Sequence, residues 1–133
     1  MEYKEYREFV KESYESYKKI KYVECPAFNC EKVFFLKRGF RHLIWKGTKL
    51  RSIEEQMERL SLLKYADVII KTSQNFKDFN KNKILYKSNS KIDFWSFNKV
   101  LNNDEIIVVV RQIQGNPKHF FSIMKRDKKH KTP

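Results

Sequence analysis

The run Ile106-Ile-Val-Val-Val110 constrains this chain most. Five consecutive β-branched residues lose side-chain freedom in a helix and pack well on a pleated surface, so Glu105–Ile113 reads as a strand. Similar segments lie on either side: Lys83–Lys87 and Lys91–Lys99 before it, His119–Lys125 after it. Leu101-Asn-Asn-Asp104 is hairpin punctuation, and Gln114-Gly-Asn-Pro117 marks a second turn. The C-terminal half is therefore predicted to be an antiparallel meander.

The N-terminal half is patterned for helices. Tyr3, Tyr6, Phe9, Val10, Tyr14, Tyr17 and Ile20 recur at three- and four-residue steps, so residues 2–21 form an amphipathic helix. A stripe of this kind is more often a core-facing seam than a ligand surface. Pro26 ends the pattern, and Glu31–Leu36 reads as a short strand. Gly39 and Gly47 bound a compact helical segment, with Phe40, Leu43 and Ile44 on one side and Arg41, His42, Trp45 and Lys46 partly elsewhere. Ser52-Ile-Glu-Glu55 is a capping box opening a helix to about Ile70, and the polar stretch Lys71–Asn82 is a loop or a frayed helix end. The expected class is α+β, with N-terminal helices on one face of a C-terminal antiparallel sheet of about four strands. One domain is expected over residues 1–125, with a basic flexible tail at 126–133.

Charge narrows the partners. The chain of 133 residues carries 29 Lys and Arg against 16 Asp and Glu, a net +13, which favours polyanions such as nucleic acid. No apolar run approaches the ~20 residues of a membrane helix, and the start lacks the order of a secretory signal, so a cytoplasmic protein without membrane association is expected. Cys25 and Cys30 need no disulfide in that setting. A metal would need two more ligands at fitting spacing, and the three histidines are scattered, so no metal or cofactor is expected.

Phosphate-loop, dinucleotide-fold and HExxH patterns do not occur in the sequence. Two histidines among many cations suit phosphodiester cleavage without metal. One imidazole takes the proton of the RNA 2′-hydroxyl, a second protonates the leaving 5′-oxygen, and cations hold the charge on phosphorus. His42 shares a helix face with Lys46 and follows Arg41, although that spacing also fits a surface histidine among solvated cations. His119 opens the last strand beside a turn, which suits a site or a satisfied sheet histidine equally. Arg111 closes the apolar run, aimed at an anion or simply emerging into water. Arg51, before the helix cap, and Gln112 are further candidates for RNA contact. Ser122 is a weaker one, because strict alternation puts it on the face opposite His119 unless a bulge intervenes. In the Phe94-Trp95-Ser-Phe97 cluster alternation parts Phe94 from Trp95, and Trp95 is the candidate base-stacking ring.

The segments CPAFNCEKVFFLKRGFRHLIWKG, RSIEEQMERLSLLKYADVII, FWSF, IIVVVRQI and KHFFSIM together resemble the phage branch of the barnase/EndoU/colicin/RelE-type nucleases over roughly residues 22–125. The resemblance implies helices on an antiparallel sheet and metal-independent RNA cleavage to a 2′,3′-cyclic phosphate. It implies His42 as a catalytic or phosphate-facing group, Lys46 and Arg51 as nearby cations, Arg111 as a phosphate contact and His119 as the second proton-transfer group. No glutamate stands in for the general base of barnase, so His42 takes that part or the mechanism differs. Many members are toxins or phage effectors, for which an acidic inhibitor protein is a further expected partner. Two rivals need no catalysis: a nucleic-acid-binding module using the same cations and aromatics, and a regulatory protein that binds another protein through its Tyr-rich first helix.

Overall fold

The structure is a computed structural model describing residues 2–84 and 90–127. The chain runs α1 (Tyr3–Ile20), β1 (Tyr22–Cys25), β2 (Glu31–Phe34), α2 (Lys37–Ile44), β3 (Trp45–Lys46), β4 (Lys49–Leu50), α3 (Ile53–Leu62), α4 (Ala66–Thr72), β5 (Asp78–Ile84), β6 (Lys91–Leu101), β7 (Asp104–Ile113) and β8 (His119–Asp127). The α+β class is as expected. Residues 85–89, which include the last three positions of the strand expected at Lys83–Lys87, and most of the expected tail lie outside the described residues; what is described of that tail, Arg126 and Asp127, belongs to β8.

The sheet corrects the expectation of about four antiparallel strands. Among the described residues it has six strands in the order β1-β2-β8-β7-β6-β5. It is mixed, because β2 joins β8 in parallel through the pair Phe34↔His119. β1 and β2 have four residues each, too few to announce an extra hairpin by alternation. β5 falls largely in the stretch read as a loop; as an edge strand it pairs with β6 alone, and an edge tolerates polar residues such as Asn80. The Asn102-Asn103 turn between β6 and β7 has both residues at positive φ (51° and 69°), as a tight hairpin requires.

The helices also refine the reading. α2 stops at Ile44, and Trp45-Lys46 becomes half of a small hairpin turned at Gly47, with Trp45 opposite Leu50. Ser52 caps α3 by accepting from the Glu55 N–H at 3.1 Å. The expected single helix to Ile70 is interrupted by a 3-10 turn at Leu63–Tyr65 before α4.

Core packing uses one face of the sheet. Ile106, Val108 and Val110 of β7, Phe97 of β6 and Phe120 and Ile123 of β8 bury against Leu43, Leu60, Ile69 and Ile70 of the helices. The tyrosine seam of α1 enters this core through Tyr17, which packs on Phe35, Phe40 and Phe120 and donates to the Leu36 carbonyl at 2.5 Å. α2 presses on the backbone of β8: a Cβ added at Gly39 would stand 2.5 Å from the Phe120 carbonyl oxygen. No described helix is long and apolar enough to cross a membrane.

The decisive irregularity is in β8. Val109 pairs with Ser122, but Val110 pairs with Phe120, so Phe121 is an extra residue. This bulge resets the alternation. Phe120 and Ile123, three positions apart, both reach the core, while His119 and Ser122 pair with Arg111 and Val109, whose side of β7 is the one away from the core.

Candidate histidine–arginine site

The bulge builds a polar cluster beside the sheet. Phe94, Arg111 and His119 are consecutive partners across β6, β7 and β8. The Arg111 Nε–H donates to His119 Nε2 at 3.0 Å, and its guanidinium lies 4.2 Å from the centre of the Phe121 ring. Against that ring stacks His42 from α2, with centroids 4.1 Å apart and planes 25° from parallel. Phe94 meets Phe121 edge-on at 5.7 Å. Two histidines 77 positions apart in sequence are thus joined through one phenyl ring and one guanidinium.

A second layer of cations holds His42. Buried Arg51 donates through Nε to the His42 carbonyl at 3.0 Å, through Nη2 to His42 Nε2 at 3.2 Å, and through Nη1 to Glu55 at 2.6 Å. Arg59, one turn beyond Glu55 on α3, reaches the same carboxylate at 3.4 Å and donates to Ser122 Oγ at 2.7 Å. Glu55 therefore ties two arginines together instead of closing the expected capping box.

The protonation states follow from these contacts. Arginine has no acceptor, so both Nε2 atoms must accept, and both rings carry their proton on Nδ1. Burial lowers His42 to about 4, helped by the charges of Arg51, Arg59, Arg111 and Lys46. Burial lowers His119 to about 4, helped by Arg111 and Arg38, while a hydrogen bond to the Pro117 backbone works the other way. Both imidazoles are neutral at pH 7. Arg111 is itself pulled down to about 10 by burial and by Arg38, and Arg59 is lowered by burial first and then by Arg51, with Glu55 opposing. Glu55 offsets Arg51 and Arg59, while the charge acting on Arg111 is the like charge of Arg38, so an oxyanion beside Arg111 would relieve that repulsion and accept charge-assisted hydrogen bonds.

Several expected site residues meet here: His42, His119, Arg111, Arg51 and Ser122, with Lys46 on β3 acting on His42 through its charge. Three do not. Trp95, expected as an exposed stacking ring, is 8% exposed and packs in the core against Phe28 and Phe79. Gln112, one position past Arg111, is on the opposite face, donates to the Asn116 carbonyl and lines a shallow polar depression with Lys91 and Asp93. Arg41 is directed at Trp45, 5.4 Å from its ring centre. His119, which the sequence left as either a site residue or a satisfied sheet histidine, is 1% exposed and engaged by Arg111. The cluster also recruits Arg38, Glu55, Arg59, Phe94 and Phe121. The spacing of Arg38 to His42, and of Arg51 to Glu55 to Arg59, is four residues each time, a helical signal open to the sequence. The role of Phe121 depends on the bulge.

No protein-family model matches this chain, and neither a curated protein nor a solved structure matches it.

Proposed function

We propose that the histidine–arginine cluster is the phosphate site of a metal-independent ribonuclease. The observation that carries this reading is the connection of His42 to His119 through the Phe121 ring and the Arg111 guanidinium, each histidine accepting from an arginine. An RNA phosphate entering the cluster takes the N–H donors of Arg111 and Arg51. That frees the Nε2 lone pairs, and the added negative charge raises the pKa of both imidazoles toward the working pH, so that one can be protonated while the other is neutral. The neutral imidazole then removes the 2′-hydroxyl proton as the 2′-oxygen bonds to phosphorus. The protonated one delivers its proton as the bond from phosphorus to the 5′-oxygen breaks. The products are a 2′,3′-cyclic phosphate and a 5′-hydroxyl. Arg59 and Arg111 stabilise the extra charge on phosphorus between these events. DNA lacks the internal nucleophile and is bound without being cut.

The second reading, a polyanion binder without chemistry, draws on the guanidinium caps and the burial of His119, which make the cluster a static anion seat. Product mass analysis after long incubation with RNA in EDTA separates them. The first reading expects cyclic phosphate ends that disappear in both His42→Ala and His119→Ala. Intact RNA with salt-steep binding selects the second.

A further inference from the structure

On another side of α2 from His42 a groove of about 380 Å³ runs between α1 and α2. Its floor is apolar and aromatic, with Val10, Tyr14 and Phe40 among its lining. Cations rim it: Arg7 and Lys11 from α1, Lys37 and Arg41 from α2. No carboxylate lines it among the described residues. The volume is in the range of sites for small organic groups, ~300–1,000 Å³. Arg41 on its rim immediately precedes His42 in α2, so the groove and the cluster share that helix.

We infer that this groove seats the base of a nucleotide flanking the phosphate held in the histidine–arginine cluster. A nucleotide pairs a flat apolar ring with an anionic link on either side. The groove pairs an aromatic floor with a cationic rim on both walls. Single strands are held in this way, by stacking within a positively charged track. The inference rests on the proposed phosphate site and adds a base subsite that α1 completes. The segment carrying Arg7, Val10 and Lys11 thereby becomes part of substrate binding.

The test uses the full chain and two fluorescently labelled 2′-O-methyl RNA hexanucleotides, which lack the attacking hydroxyl. One carries all its bases; the other is abasic throughout, with the same phosphates. Wild-type protein is expected to bind the full oligonucleotide roughly five- to a hundredfold more tightly. That ratio is expected to fall to about one in Val10→Trp, which fills the groove, and in Tyr14→Leu, which keeps an apolar side chain but removes the ring. A ratio near one in wild type, or a ratio unchanged in both variants, overturns the inference and leaves the groove to another occupant, such as an acidic protein segment. The abasic oligonucleotide tests the cluster separately: its affinity must drop in Arg111→Ala. If it does not, the phosphate site itself falls, and the base subsite with it.

Discussion

Val110 and Arg111 are neighbours in β7, as are Phe120 and His119 in β8, yet each pair divides between two chemistries. Val110 and Phe120 oppose each other in the apolar core; Arg111 and His119 oppose each other in a cluster of cations. The core face is held by area removed from water, and its residues stabilise the fold roughly in proportion to what they bury. The other face concentrates like charges on half-buried or buried groups, which works against stability. A fold whose local choices otherwise agree tends to keep such a conflict where it binds or reacts. The contrast is the reason the proposed site is placed on the face that is energetically worse.

The largest effect that sharpens this contrast is kinetic. His42→Ala and His119→Ala are each expected to lower RNA cleavage by roughly 10²–10⁴-fold, the usual contribution of a positioned proton-transfer group. Both variants should keep a cooperative thermal transition; near-wild-type kcat/KM in both breaks the contrast. On the core face, Phe120→Ala should cost about 3–5 kcal/mol in denaturant unfolding. On the cluster face, the double replacement Arg111→Met with His119→Phe should be neutral or stabilising, because it exchanges a buried polar pair for apolar groups. Equal losses on both faces would erase the distinction.

Stability should also depend on pH through the cluster. Both histidines sit near 4 in the folded chain against about 6.5 when unfolded, so between these values the unfolded chain binds more protons. Stability is therefore full above about pH 6.5 and declines as pH falls toward 4. His119 accounts for up to about 3 kcal/mol and half-buried His42 for less. Chemical denaturation at pH 7 and pH 4.5 measures the drop, and His119→Phe should remove the larger part of it. A smaller effect, about 1–3 kcal/mol, is expected for Gly39→Ala, where the new methyl group meets the Phe120 carbonyl and the Tyr17 hydroxyl. An unchanged denaturation midpoint there would mean that α2 is not wedged against β8.

The sequence disclosed the elements better than their assembly. The tyrosine spacing of α1, the Ser52 cap of α3 and the Asn-Asn hairpin are local signals, and each appears where its chemistry put it. The parallel contact of β2 with β8 is a long-range pairing that no local pattern encodes. At the site, His42, His119 and Arg111 stood out because basic groups beside apolar runs are conspicuous. Trp95 and Phe94 exchanged roles because alternation separates two rings without saying which side is core; here Phe94 pairs across β7 with Arg111. Ser122 was discounted by strict alternation and regained by the one-residue bulge at Phe121. A bulge leaves little trace in composition, and it decided which side chains share the cluster.

Ring-proton NMR titration of His42 and His119, with and without saturating 2′-O-methyl RNA, tests the shared site most directly. Two midpoints near pH 4 are expected in the free protein, with a joint rise of more than one unit when the oligonucleotide binds. Free midpoints near 6.5, or a shift confined to one ring, would contradict it.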